Sequence, residues 1–580
     1  MKKMIKRLLS AAMAASLAAT VFAGCQSNET TSSGTVSGGS SESGDSSKIV
    51  TIQYYGGGGN PQKYYEWQQE YFEEKIGVRV EALVKDKEQL PPMVAAGNLP
   101  DMGHYTNDGD PTQLIKGGHV ADLTEYESLM PNYVQEWPAS VQYVKDFKSD
   151  GTGKLYEVLL QVGSYDNYPM DVGCYAANIR WDIYEKAGRP EVTDMYSYLD
   201  ALKKMQEIYP KTEEGLPTYG MSLFPEWDST EMSCYKKYTT VTGTLESNIG
   251  YNVYSILEDK VYPMIEKDSP YYDALKWLNP ANRMGLIDPD STTQTYTVAN
   301  AKVAESGQAL SSMWGSYCSG YNTTENVAAE DPRGYMPLIW EGQHPCVQDD
   351  TVIGNVNDPL FISSTVSKEK QEACAKFINL MFDEDICMAM YSGPQGELWD
   401  IVDGKYQLVT ENVDKIRETN EYTFSSGETC SNWWMQWGLR DATFHSKYDV
   451  PLAYARTEEY TKSTLENNKI AEMWSEVYGK ERPIEVWREN DALCFNPEWK
   501  NFIEVMPDNL TEIQNNVKGV ITTLSWQAVM EAKTDEEFDA LFERMVSQCN
   551  DLGIQEIVTW GQEQIKSAQE NIGKYVDMAK

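Results

Sequence analysis

Side chains capable of covalent chemistry are few and scattered along the 580 residues. The four histidines are His104, His119, His344 and His445, and no two stand at a ligand spacing such as i, i+4. A zinc enzyme or a His-rich metal site is therefore disfavoured, and no metal ligands are assigned. Neither a G-x-S-x-G nucleophile elbow nor an H-E-x-x-H helix is present. Nine cysteines follow Cys25 without a C-x-x-C, and the odd number leaves at least one free in a monomer. They read as small buried hydrophobes. Carboxylates are abundant, but a glycan-cleaving pair must lie roughly 5–10 Å apart, which no chain spacing specifies. The run Gly56–Gly59 ahead of a helix could cradle phosphate. It lacks the Lys-Ser/Thr of a P-loop, and glycine there suits close approach of a ligand or a neighbouring lobe.

What remains is the chemistry of non-covalent recognition. Tyr (37) and Trp (16) outnumber Phe (13), so aromatics with an apolar face and a polar tip are favoured. Several stand beside hydrogen-bonding side chains in segments that read as loops. Tyr54, Tyr55 and Asn60 flank the glycine run; Asn107 and Asp108 follow Tyr105; Asp166 and Asn167 follow Tyr165. Trp227 and Asp228 lie in Phe224–Ser229, Trp314 follows Met313, and Glu397 precedes Trp399. Trp433 and Trp434 are adjacent. Such residues serve equally well in a core, and Tyr64, Trp67 and Tyr71, at helical spacing, are assigned there.

These residues must be positioned by a folded body, and the chain begins with a segment that does not belong to it. Lys2, Lys3, Lys6 and Arg7 precede an apolar run, Leu8–Ala23, too short for a membrane span of ~20 residues, and Cys25 follows. Residues 26–47 hold 9 Ser, 4 Gly and 3 Thr, a flexible tether. The formal charge is −39, and loss of residues 1–24 takes it to −43. Nucleic acid and anionic lipid headgroups are disfavoured as partners. The acidity also favours a neutral ligand over an anionic one.

Beyond the tether, Lys48–Tyr55 reads as a β-branched strand. Asn60 and Pro61 read as the start of a helix that stops at Gly77. Val78–Val84 is a second strand, a helix broken near Pro91-Pro92 follows, and Leu99–Tyr105 is a third strand. Strand–helix–strand–helix–strand implies right-handed crossovers and a parallel sheet, with ligands beyond the carboxyl ends of the strands. Asn178–Gln206 reads as helix, turn and helix. Ser367 is a helix cap, and Thr534 with Glu537 forms a capping box ahead of a helix stopped at Gly553.

Seven segments, in order, resemble the extracellular solute-binding lipoproteins of carbohydrate ABC importers, family-1 type, large oligosaccharide-binding members. Pro92–Asp101 resembles that family's M-x-A-A-G-x-x-P-D turn, and Leu114–Thr124 its G-x-x-x-D-L-T stretch. Asp150–Tyr156 is similar to its D-G-K-x-Y segment, and Asn178–Gly188 to R-x-D-x-x-x-K-x-G. Gly285–Pro289 and Ser306–Ala309 match later segments, and Ser392–Trp399 resembles a G-x-x-G-x-x-W loop. Phe22–Cys25 resembles a lipobox, with Phe22 where Leu is usual.

The resemblance implies an α/β, two-lobe periplasmic-binding-protein-like fold with a hinge and an interlobe ligand cleft. It implies a lipoprotein signal peptide (1–24) and a diacylated, palmitate-bearing Cys25 on a tether (25–47). Lobe 1 would take 48–160 and 350–395; lobe 2 would take 161–349 and 396–580, the latter with the C-terminal helices. The implied function is capture of extracellular oligosaccharide and its delivery to ABC permease subunits. The protein would be a monomer, not an enzyme, without cofactor, anchored by lipid on the extracytoplasmic face of the cell membrane. A pyranose needs flat aromatics for its C–H face and polar groups for its hydroxyl rim. The assigned ligand residues are Tyr55, Asn60, Asp108, Tyr165, Asn167, Trp227, Asp228, Trp314, Glu397, Trp399, Trp433 and Trp434. The alternatives are a peptide-binding importer component, a sensor ectodomain, or a secreted glycan-active enzyme. Some large members carry a calcium loop in lobe 2. The corresponding stretch, Tyr209–Pro217, lacks its alternating oxygen ligands, so calcium is not expected there.

Overall fold

The structure, a computed structural model, describes residues 49–56, 64–84, 88–105, 111–163, 175–347, 353–419, 421–431 and 443–579. The signal segment, Cys25, the tether, the proposed cap at Asn60 and Pro61, and site residues Asp108, Tyr165, Asn167, Trp433 and Trp434 lie outside it.

Alternation of apolar side chains sets the first strands. The strands of the two main sheets are β1 (Val50–Tyr55), β2 (Val78–Leu83), β3 (Met102–Gly103), β4 (Val158–Leu160), β5 (Tyr175–Arg180), β6 (Ser311–Trp314), β7 (Tyr335–Pro337) and β8 (Asn355–Ile362). β1 pairs in parallel with both β2 and β3, as the crossover argument requires. β8 returns antiparallel between β3 and β4, giving the order β2-β1-β3-β8-β4. Helix α1 (Glu66–Ile76) joins β1 to β2 and ends at Gly77, whose φ of 66° is the left-handed stop a glycine supplies without strain. Helix α2 (Leu90–Ala96) differs from expectation: Pro91 and Pro92 do not break it but occupy its first turn, where a missing N–H costs nothing.

A second difference concerns Asn178–Arg180. These residues extend β5 rather than open a helix, because β6 and β7 flank them on both sides in a three-stranded antiparallel sheet, β6-β5-β7. The helix begins only at Trp181. The other principal helices are α3 (Met195–Ile208), α4 (Pro270–Arg283), α5 (Tyr296–Ala304), α6 (Lys368–Met381), α7 (Asp508–Met530), α8 (Asp535–Asp551), α9 (Ile554–Asn571) and α10 (Gly573–Ala579). Ser367 caps α6 by accepting from Lys370 N. Thr534 caps α8 by accepting from Glu537 N, while the Glu537 carboxylate reaches back to Lys533 N, one residue beyond the simple box.

Two large apolar cores result. One gathers Ile52, Val80, Met102, Leu160, Phe377 and Trp399 around the five-stranded sheet. The other gathers Ile179, Trp181, Trp277, Leu310, Val517 and Phe542 around the three-stranded sheet and α3, α4, α7 and α8. The chain serves them in turn. Leu452, Trp499 and Phe502 join the first core, although the expected boundaries assign 396–580 to the second lobe. Helix α9 contributes Ile554, Ile557 and Val558 to the second core and Ile565 and Ala568 to the first, so it spans both. Cys234, Cys318, Cys374, Cys494 and Cys549 are buried free thiols. Among the described residues no helix is long and apolar enough to cross a membrane.

Candidate functional site

A cluster of aromatic rings lies at the end of β6. Trp314 closes that strand, and Tyr317 follows one helical turn later. Their rings meet edge to face at 5.0 Å. The loop 224–229 brings Phe224 and Trp227, and α5 brings Tyr296 as its first residue. Trp227 stacks on Tyr296 at 4.6 Å with 25° between the planes, and lies 5.5 Å from Trp314. Phe224 sits edge-on beneath Trp227 at 5.0 Å.

Local hydrogen bonds hold this loop in place. Tyr296 N donates to Glu226 Oε2 (2.6 Å), which fastens the loop to the start of α5. Asp228 N donates to Pro225 O, and Cys234 Sγ to Phe224 O. Trp227 is left 46 % exposed, a large aromatic face turned to solvent on a ring-supported base. That arrangement can bind the apolar face of a ring-shaped ligand; it holds no positioned nucleophile or acid–base pair.

Trp227 and Trp314 are thus brought together, but Asp228 is turned away from them. Its carboxylate accepts from Trp526 Nε1 (2.6 Å) and Ser233 N (2.8 Å), tying the loop to α7. A groove of about 470 Å³ behind the loop is lined by Pro225, Asp228, Ser229, Lys518, Thr522 and Trp526. Burial pushes the Asp228 pKa up to about 6, against the lowering effect of the Trp526 and Ser233 hydrogen bonds.

The remaining described site residues occupy other places. Tyr55 is 2 % exposed and packs beside Tyr105 among Leu90, Leu99 and Phe361. Trp399 is in the first core, stacked on Tyr406, with Nε1 donating to Gly393 O (2.8 Å). Glu397 is buried and accepts from Tyr422 Oη (2.5 Å), Ser425 N (2.8 Å) and Ser425 Oγ. Burial alone would raise its pKa, but these hydrogen bonds outweigh burial and lower it. Its role is to pin the 422–425 segment.

Sequence reasoning missed Tyr296, Tyr317 and Lys237. Tyr317 carried a signal, three residues after Trp314 and so on the same side of a helix. Lys237, in the short helix Lys236–Thr239, lies with its ammonium 4.9 Å from the centre of the Trp314 ring. No local pattern announced it.

The stretch corresponding to the calcium loop does not fit a divalent cation. Glu213 accepts from Tyr209 Oη (2.6 Å) and lies 3.6 Å from Arg333 Nη1, so cationic protein already faces that carboxylate. The Arg180 guanidinium stands 5.3 Å from the Tyr209 ring. Among the described residues no group of three or more His, Cys, Asp or Glu could hold a metal ion.

The sequence matches no family model and no curated protein. Solved structures share its fold. An HMO-binding, ABC-transporter-associated solute-binding protein from Bifidobacterium longum infantis superposes with a TM-score of 0.58 at 17 % identity, covering 90 % of this chain and 99 % of that one. The alginate-binding protein AlgQ2 without calcium ion gives 0.56 at 14 %, covering 90 % and 98 %. The substrate-binding protein FusA of Streptococcus pneumoniae in complex with kestose gives 0.59 at 15 %, covering 90 % and 100 %. The architecture is therefore that of the two-lobe solute-binding proteins, the α/β fold class expected from the sequence.

Proposed function

We propose that this chain is the substrate-binding protein of an ABC transporter, which captures extracytoplasmic oligosaccharide and delivers it to membrane permeases. The observation that carries this is the exposed Trp227 face, backed by Tyr296 and Trp314, on a two-lobe solute-binding fold. Stacking of aromatic faces on pyranose rings supports oligosaccharide as the ligand class. The solved neighbours described as binding HMO, alginate or kestose support it as well. Binding requires no covalent step. The sugar shifts the population of lobe arrangements by favouring one of them, which the permease then reads. The protein works as a monomer and not as an enzyme. It is carried on a diacylated Cys25 at the extracytoplasmic membrane face, with the 26–47 tether as its leash.

Calorimetric titration of the full chain with neutral and acidic oligosaccharides and with peptides, followed by chromatography of the sugars, tests this. Sugar binding without turnover is expected. Cleavage of the sugar, or binding of peptides alone, overturns the reading.

A further inference from the structure

Lys237 is 7 % exposed and has no carboxylate partner among the described residues. Two other buried cations are paired, Arg180 with Asp182 at 2.8 Å and Arg482 with Glu485 at 3.3 Å, as is the half-buried Lys302 with Asp288 at 2.6 Å. Adjacent Lys236 faces Glu231 at 3.7 Å. Around Lys237 stand the Trp314 ring and the thiols of Cys234 and Cys318. Burial raises the pKa of both thiols, that of Cys234 to about 11, so neither supplies negative charge at neutral pH. Among the described residues, the carboxylates near the platform act on other groups. Glu226 accepts from Tyr296 N, and Glu246 acts on Tyr175 and Tyr317. Burial draws the pKa of Lys237 itself down.

A ring face offsets only part of what an ammonium loses on leaving water. Replacing the lysine by an apolar residue would cost nothing in ion pairing, yet a lysine stands there, in a chain with a large acidic excess. The Lys237 ammonium, without a carboxylate among the described residues, lies against the Trp314 ring of the platform where a ligand ring would stack. We propose that Lys237, Trp314 and Trp227 form a subsite for a carboxylate-bearing sugar residue, its ring on the indoles and its carboxylate on the ammonium. This rests on the oligosaccharide reading and sharpens its ligand class, against the neutral sugar that overall charge favours. Net charge describes the average field over the surface, whereas a partly desolvated cation acts at contact distance, where local pairing dominates.

The test compares galacturonate oligomers and sialyllactose with their carboxyl-reduced, neutral counterparts, by calorimetry on the full chain and on Lys237→Met and Lys237→Arg. Wild type is expected to bind at least one acidic sugar about tenfold or more tighter than its reduced counterpart. Lys237→Met should abolish that preference, and Lys237→Arg should keep part of it. Equal affinity for acidic and reduced forms, or a preference that survives in Lys237→Met, overturns the subsite and leaves the oligosaccharide reading standing. Binding of no sugar at all overturns both. Thermal unfolding gives an independent check. An unpaired buried ammonium predicts that Lys237→Met melts no lower than wild type, and a clear fall in Tm shows it is paired within the protein and overturns the proposal.

Discussion

Trp227→Ala is the substitution that separates ligand contact from folding. About half of the indole is exposed, and the rest packs on Phe224, Tyr296 and Trp314. A fully buried Trp→Ala costs roughly 3–5 kcal/mol, so the structural loss here is bounded at about half of that. A stacking aromatic contributes about 0.5–1.5 kcal/mol beyond area burial, a factor of roughly 2–13 in Kd. Trp227→Ala is therefore expected to weaken sugar binding by up to about tenfold, with a small fall in Tm. Trp227→Phe, which keeps a smaller face, should lose less than half as much. Trp314→Ala should lose affinity and stability together, because its ring also meets Phe224, Tyr317 and Lys237. Titration well below Tm keeps the stoichiometry near one in a folded variant, so lost affinity cannot be mistaken for unfolding. Unchanged affinity in both Trp227→Ala and Trp314→Ala, with stoichiometry intact, refutes the placement of the ligand on this platform.

Three further outcomes follow from the structure. Arg180→Met leaves Asp182 buried without its cation and should cost about 3–5 kcal/mol in urea unfolding, while Arg180→Met with Asp182→Leu should recover most of it. The Asp228 pKa lies above its ordinary value of 3.8, so its contribution to stability is greatest below about pH 4 and is lost as pH rises through about 6. Asp228→Asn should therefore gain in Tm relative to wild type between pH 4 and 7, and a pH-independent difference contradicts this. A Cβ on Gly561 would collide with Ile249 O and lie 2.6 Å from Asn252 Nδ2, so Gly561→Ala should destabilise by about 1–3 kcal/mol, read by thermal unfolding.

Features set by neighbours in the chain were legible beforehand. The β1 pattern, the Gly77 stop, the Ser367 cap and the order of the first crossovers depend on residues within a turn or two of one another. The errors arose where distant segments intervene. Asn178–Arg180 carries a helix-compatible pattern, but pairing on both sides with β6 and β7 pulls it into a strand. Pro91 and Pro92 were read as a break because the start of α2 lacked a clear local marker.

The composition and order of motifs by themselves determined that this is an acidic, aromatic-rich α/β chain. They also singled out Trp227 and Trp314. Only the tertiary structure decided what those residues do. It joined two indoles 87 positions apart, supported them with Tyr296, and turned Asp228 away toward Trp526, 298 residues distant. It placed Tyr55 and Trp399 in cores, and left Lys237 desolvated without a carboxylate partner among the described residues. The physical reason is that burial and pairing are properties of a side chain's surroundings in space. A single position in the sequence specifies the group, and the fold specifies its solvent.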